Sequence, residues 1–305
     1  MQATAKLSLR DMFPNATEEQ LKALAAGKPV PPSPDWSGGH PCPPGLTGMP
    51  GSSGLSGIRD SRPPLVSVVM VFGDATRLRT AQRTVQCFVE QTYVRRQMVI
   101  INGTDKPVTN VAWDKIKELP VAKEDLSSLR NIGLTNADGE WIMPWDDDDW
   151  HHPERIAFQM AHRREGMACL LEGQLRCHVW RSTAFVHREP DGVPGTILFP
   201  RGPARYPVGI ELGGDREFFM ANWRGNSVVI PAEAGTSSTF QHIALHHDRN
   251  LISATDFLGL LANEEYKNRW IVTEKERAYL QSVLTLKGFG VEARPADVPA
   301  ALGTV

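Results

Sequence analysis

One hexapeptide, Trp145-Asp146-Asp147-Asp148-Asp149-Trp150, constrains this chain more than any other stretch. It continues Glu140-Trp141-Ile142-Met143-Pro144-Trp145, whose apolar run reads as a buried strand. Four adjacent carboxylates repel one another, so their ionisation needs compensation. On a solvated loop water would supply it. Between two tryptophans at the end of an apolar strand, some of these carboxylates start near the core. A hard divalent cation bound through oxygen, Mg²⁺ or Mn²⁺, would offset that cost and keep positions open for substrate phosphates. The residues alone therefore favour a metal–phosphate site over an acidic loop, with hydrolase and nucleotidyltransferase chemistry both open.

The segments before the hexapeptide say what kind of fold presents it. Leu65 to Phe72 is a short apolar run ending at Gly73, the pattern of a buried parallel strand. Helical spacing follows from about Arg77 to Gln91. Gln97 to Ile101 reads as a second strand, stopped by Asn102-Gly103, and Leu126 to Ala137 as a second helix. Strand, helix, strand, helix, strand is the start of a doubly wound α/β sheet, whose ligands bind beyond the carboxyl ends of the strands. The acidic run falls at such an end.

Three zones are expected. Residues 1–64 hold a short helix, opened by a Thr17/Gln20 capping box, then a Pro/Gly-rich linker in which Gly45, Gly48, Gly51, Gly54 and Gly57 recur every third residue. Residues 65–252 form the main domain. Residues 253–305 read as a helical extension, with a second capping box at Thr273 and Glu276. A net charge of −2 gives no general pull toward nucleic acid or anionic membrane. The first ten residues have no apolar core of signal-peptide length, and Cys42, Cys87, Cys169 and Cys177 have neither zinc-ribbon nor disulfide-framework spacing. A cytoplasmic location is the expectation.

From Val66 to about Asn250 the chain resembles the family 2 glycosyltransferases. The resemblance rests on Val66-Ser67-Val68-Val69 leading to Gln91-Thr92-Tyr93, then Arg130-Asn131-Ile132-Gly133-Leu134, Ala137-Asp138-Gly139-Glu140, the four aspartates, and Pro153-Glu154-Arg155. It implies a GT-A fold, a Rossmann-like mixed α/β sheet with helices on both faces. It also implies metal-dependent, inverting transfer of a sugar from a nucleotide-sugar donor, of UDP type, to an acceptor hydroxyl on a glycan or modified nucleic acid. Carried over by position, Asp146 faces the nucleoside and ribose, and Asp148 binds the Mn²⁺ or Mg²⁺ that bridges the diphosphate. Asp147 points to the opposite side, and Asp149 stands behind the site. Arg130 belongs to the donor side. Asp215, in Gly213-Gly214-Asp215-Arg216-Glu217, matches the family's general base, with Glu211 and Glu217 as alternatives. His247, spaced from Asn250 as in a His-x-x-Asn element, would complete the metal shell, with His246 as the neighbouring alternative.

Two departures from the family pattern bear on the nucleotide. The second strand ends in Asn102 where relatives carry aspartate, so an amide would read the base edge. The first strand ends in Phe72-Gly73-Asp74, and Phe72 could stack on the base or pack into the core. Gly214 also stands where the family often has glutamate. Arg77, Arg79, Arg83, Arg95 and Arg96 form a candidate basic patch near the donor end, either a solvated face or a grip for a polyanionic acceptor. Trp145 and Trp150 would stack on a sugar or pack the strand end. The rival readings are a non-catalytic nucleotide- or glycan-binding module and a metal-dependent nucleotidyltransferase; no P-loop or kinase motif supports the latter.

Overall fold

The computed structural model describes residues 62–109, 113–178, 183–210, 213–233 and 237–246. The expected N-terminal helix and linker and the C-terminal extension lie outside the described residues, as do Glu211, His247 and Asn250.

The first strand, β1 (Val66–Phe72), is central. Its even-numbered residues Val66, Val68, Met70 and Phe72 join one core cluster, and Val69 joins another, because successive side chains point to opposite faces. A 3₁₀ turn (Ala75–Arg77), capped by Asp74 through Thr76 N–H at 2.9 Å, leads into α1 (Leu78–Val89). That helix lays Ala81, Val85 and Phe88 against the Val66–Phe72 face. Then come β2 (Arg96–Asn102), β3 (Ile116–Pro120), α2 (Leu126–Asn136) and β4 (Trp141–Trp145). Leu129 of α2 packs with Val99 and Ile101, and Leu134 with Val69, on the face opposite α1.

The remaining strands are β5 (Trp150–His151), β6 (Ala168–Leu171), β7 (Gly173–His178), β8 (Thr183–Arg188), β9 (Phe199–Pro200), β10 (Ser227–Ile230) and β11 (His242–His246). Among them lie α3 (Arg155–His162) and α4 (Gly214–Asn222). The main sheet has the order β3-β2-β1-β4-β9, with β9 antiparallel to β4 and the others parallel. A second sheet runs β5-β11-β7-β8 and a two-stranded one pairs β10 with β6. The fold is thus the expected α/β kind, a mixed sheet with helices on both faces. Strand β3 was not expected from sequence, nor was the β5-β11-β7-β8 sheet.

The shared motifs have structural work here. A Cβ on Gly133 would lie 2.3 Å from Val69 Cγ1, so its absence lets α2 press onto β1. A Cβ on Gly139 would meet Ser67 N and Oγ, both at 2.6 Å. Gln91 of the Gln-Thr-Tyr turn donates to His152 O at 2.7 Å and accepts from Ile156 N–H at 3.0 Å, tying the end of α1 to the start of α3. Arg96 is buried and donates to Phe88 O, Val89 O and Tyr93 O at 3.1, 2.8 and 2.6 Å, so it caps the C-terminus of α1, where a cation is favoured. The candidate basic patch is therefore divided. Arg95 and Arg96 sit where β2 begins, at the amino ends of the parallel strands, whereas Arg77 lies past the carboxyl end of β1.

Candidate active site

The turn Asp146–Asp149 joins β4 directly to β5, and its carboxylates find partners on three different elements. Asp146 is 49% exposed and pairs with Arg130 of α2, Nη2 to Oδ1 at 3.1 Å. Asp147 and Asp148 are buried and both pair with Arg77 of the 3₁₀ turn. Asp149 turns inward: Oδ1 accepts from Leu245 N–H at 3.0 Å and Oδ2 meets His242 Nε2 at 2.7 Å. The His242 Nδ1 contacts Gln174 Nε2 at 2.9 Å, which gives a neutral ring with its proton on Nε2. Burial, with Arg155 and Arg176 adding to it, pushes the His242 pKa well below its ordinary value and so favours that neutral form.

Asp215 enters the same site from α4. It occupies the first turn of that helix, where the N-terminal dipole favours negative charge. Arg130 bridges it to the acidic run: Nη1 lies 3.1 Å from Asp215 Oδ1, and Nη2 donates to Oδ2 at 3.2 Å. Tyr206 O–H donates to Asp215 Oδ1 at 3.2 Å. Asp215 keeps 25% of its side chain exposed, enough for a substrate to reach. Glu217, one of the alternative bases, is exposed on the next part of the helix.

The site is short of positive charge. Burial raises the carboxyl pKa values of Asp147 and Asp149 well above the usual range; neighbouring aspartates push the same way, and Arg77 opposes at Asp147. Four carboxylates, Asp146, Asp147, Asp148 and Asp215, meet two guanidiniums, Arg77 and Arg130, at ion-pair distance, while Asp149 meets His242. An added divalent cation at Asp148 would fit that balance and the all-oxygen donor set. Among the described residues, no group of three or more His, Cys, Asp or Glu side chains is arranged to hold a metal ion. The expected ligand His247 lies outside them, and His246 is buried at the end of β11.

Two expected donor contacts change. Phe72 is fully buried in the α1 core, because the alternation of β1 turns it to that face, so its ring is not offered to a base. Asn102 is spent on its own turn. Its Oδ1 accepts Thr104 N–H and Oγ1–H, each at 2.8 Å, and its Nδ2 donates to Lys106 O and Glu118 Oε1 at 2.8 and 2.6 Å. A side chain so engaged cannot also read a base edge. Trp145 and Trp150 are buried too; Trp145 stacks on His151 with ring centres 3.7 Å apart, which packs the strand end.

Sequence reasoning missed Arg77 as an internal partner and Tyr206 altogether. The position of Arg77 three residues after Asp74 on a capped turn is a signal in hindsight. Nothing in the sequence singles out Tyr206.

Residues 67–171, which include β1, α2 and the whole acidic run, match the family described as glycosyl transferase family 2. Over those residues this chain is similar to that family. A protein of Escherichia coli (strain K12) named as a colanic acid biosynthesis glycosyl transferase, WcaA, is 24% identical over 225 residues, 69% of this chain and 70% of that protein. Two similar solved structures are Staphylococcus aureus TarS 1–349 with UDP-GlcNAc and the mannosyltransferase PcManGT of Pyrobaculum calidifontis with GDP-Man and Mn²⁺. Each is 12% identical with a TM-score of 0.45, over 61% and 62% of this chain respectively. This chain spans 60% and 59% of those two chains. Among the described residues, no helix is long and apolar enough to cross a membrane.

Proposed function

We propose that this chain is a metal-dependent inverting glycosyltransferase that moves a sugar from a nucleotide-sugar, of UDP type, to an acceptor hydroxyl. The observation that carries the reading is the meeting of Asp215 with the acidic run on one guanidinium, Arg130, at the carboxyl edge of the sheet. Inversion needs two separated jobs: charge stabilisation on the leaving diphosphate and deprotonation of the attacking hydroxyl. Asp148 would hold the cation, Mn²⁺ or Mg²⁺, with His247 as a further ligand, and the cation would stabilise the negative charge that builds on the diphosphate. Asp146, the exposed member of the run, faces the nucleoside. Asp215 takes the proton of the acceptor hydroxyl as its oxygen bonds to the anomeric carbon and the diphosphate leaves with the electron pair of the broken bond.

The test is a comparison of two isosteric variants in Mn²⁺, with UDP- and GDP-sugars as donors. Asp215→Asn should keep donor affinity by calorimetry and lower turnover by roughly 10²–10⁴-fold, the contribution of a positioned base. Asp148→Asn should weaken Mn²⁺ binding and donor binding as well as rate. Full activity of the wild-type protein in EDTA, or undiminished turnover of Asp215→Asn, would refute the reading.

A further inference from the structure

We propose that Arg130 and Tyr206 are positioning residues that hold Asp215 so that one lone pair, on Oδ2, is left for the acceptor proton. The inference rests on Asp215 being the base. A carboxylate has about four lone-pair sites, two on each oxygen. Oδ1 has both of its sites used, by Arg130 Nη1 at 3.1 Å and by Tyr206 O–H at 3.2 Å. Oδ2 has one used, by Arg130 Nη2 at 3.2 Å. The remaining site on Oδ2 belongs to a carboxylate that is a quarter exposed. Asp146 takes the second hydrogen of Nη2 at 3.1 Å. The guanidinium thus fixes the spacing between the donor-side aspartate and the acceptor-side one.

The holder is itself held. Tyr206 is buried, with its ring 5.0 Å from the Arg130 guanidinium carbon on one side and stacked on Phe218 at 4.2 Å and 18° on the other. Phe218 lies on α4, one turn beyond Asp215, so the tyrosine is wedged between the two elements it connects. Asn131, next to Arg130, exchanges two hydrogen bonds with the Tyr206 main chain: Tyr206 N–H to Oδ1 at 2.8 Å and Nδ2 to Tyr206 O at 2.9 Å. The Arg-Asn pair therefore acts as a unit, the arginine on the carboxylate and the asparagine on the tyrosine. Gly214 belongs to the same arrangement. A Cβ there would lie in ordinary contact with Arg130 Nη1 at 3.4 Å, so the residue before Asp215 packs beside the guanidinium.

Three variants test this, with UDP-GlcNAc or GDP-mannose as donor, whichever the wild-type protein turns over in Mn²⁺. Tyr206→Phe keeps the ring and frees Oδ1; kcat should fall about 3–10-fold, the worth of one hydrogen bond, with donor affinity by calorimetry unchanged. Arg130→Lys keeps the charge and loses the fork; kcat should fall about 10²-fold, the scale of a displaced reacting group. In an Asp215→Asn background, Tyr206→Phe should cost nothing further, because its effect passes through that carboxylate. If Asp215→Asn itself keeps turnover, the base assignment fails, and this inference with it. If Asp215→Asn loses turnover while Tyr206→Phe and Arg130→Lys keep wild-type kcat, the positioning role alone is overturned. It is equally overturned if the Tyr206→Phe loss persists undiminished in the Asp215→Asn background, the result of a merely structural role.

Discussion

Asp149 should matter for holding the site together rather than for its chemistry, and replacing it tests the point. In the fold its carboxylate accepts from two buried donors, Leu245 N–H and His242 Nε2–H, and so fastens the acidic turn to β11. Asp149→Ala leaves both donors without that acceptor. A buried donor deprived of its partner costs about 1–3 kcal/mol, so the pair costs about 2–6 kcal/mol. Part of this is returned, because burial and the neighbouring aspartates disfavour the Asp149 charge in the first place. A net loss of about 2–4 kcal/mol follows. Asp149→Asn keeps one acceptor oxygen but turns an N–H toward the second donor, so its loss should be about 1–3 kcal/mol and smaller than that of alanine. Urea unfolding followed by tryptophan fluorescence is suited to the measurement, since Trp145 and Trp150 bracket the turn. A double-mutant cycle with His242→Ala should give a coupling of about 1 kcal/mol or more. Should Asp149→Ala cost less than about 1 kcal/mol, or couple to His242 not at all, the fastening described here is wrong.

Two other outcomes are expected. His152 accepts Glu154 N–H on Nδ1 at 3.0 Å, and burial lowers its pKa from the ordinary 6.5 to about 4. The unfolded chain therefore binds the proton first, and stability present above pH 6.5 drains as pH falls toward 4, by up to about 3 kcal/mol. His152→Asn, which offers an acceptor that does not titrate, should flatten that part of the decline in unfolding midpoints; an unchanged slope would count against it. Gly133→Ala would push a methyl to 2.3 Å from Val69 Cγ1, an overpacking cost of about 1–3 kcal/mol that helix propensity offsets only in part. Turnover should fall with stability, because Arg130 rides on the same helix; a fully active, fully stable Gly133→Ala protein would refute the close approach.

Much of the sheet was legible because period and punctuation agreed. The runs at 65–72 and 97–101 became β1 and β2, and the apolar stretch before the aspartates became β4. Strand β3 escaped because Ile116-Lys117-Glu118-Leu119-Pro120 is an edge strand with a half-buried or exposed pattern, too polar to stand out. His246, the alternative metal ligand, is buried in β11, and His242 of the same strand serves Asp149. Phe72 and Asn102 have their side chains engaged within the fold, for a shared reason. Their types suit nucleotide contact, but the face of a strand and the closing of a turn are settled by neighbours distant in sequence. The link from Arg130 to Asp215 spans 85 residues, and one sequence carries no pattern from which to infer such a pair.

The same topology explains how four consecutive aspartates can be tolerated. Strands β1 and β4 are parallel neighbours, so the turn leaving β1, which carries Arg77, ends beside the turn leaving β4, which carries Asp147 and Asp148. Helix α2 immediately precedes β4 and packs against β1 and β2, which brings Arg130 to the side where Asp146 emerges. Strand β11 pairs with β5, the strand into which the aspartates run, and so presents Leu245 N–H and His242 to Asp149. Arg130 answers Asp146, Arg77 answers Asp147 and Asp148, and β11 answers Asp149, which divides among three directions charges that adjacency in sequence would force together. Asp147 and Asp148 share Arg77, and burial raises the Asp147 carboxyl pKa well above its ordinary range. A donor diphosphate bound there would add further negative charge beside them.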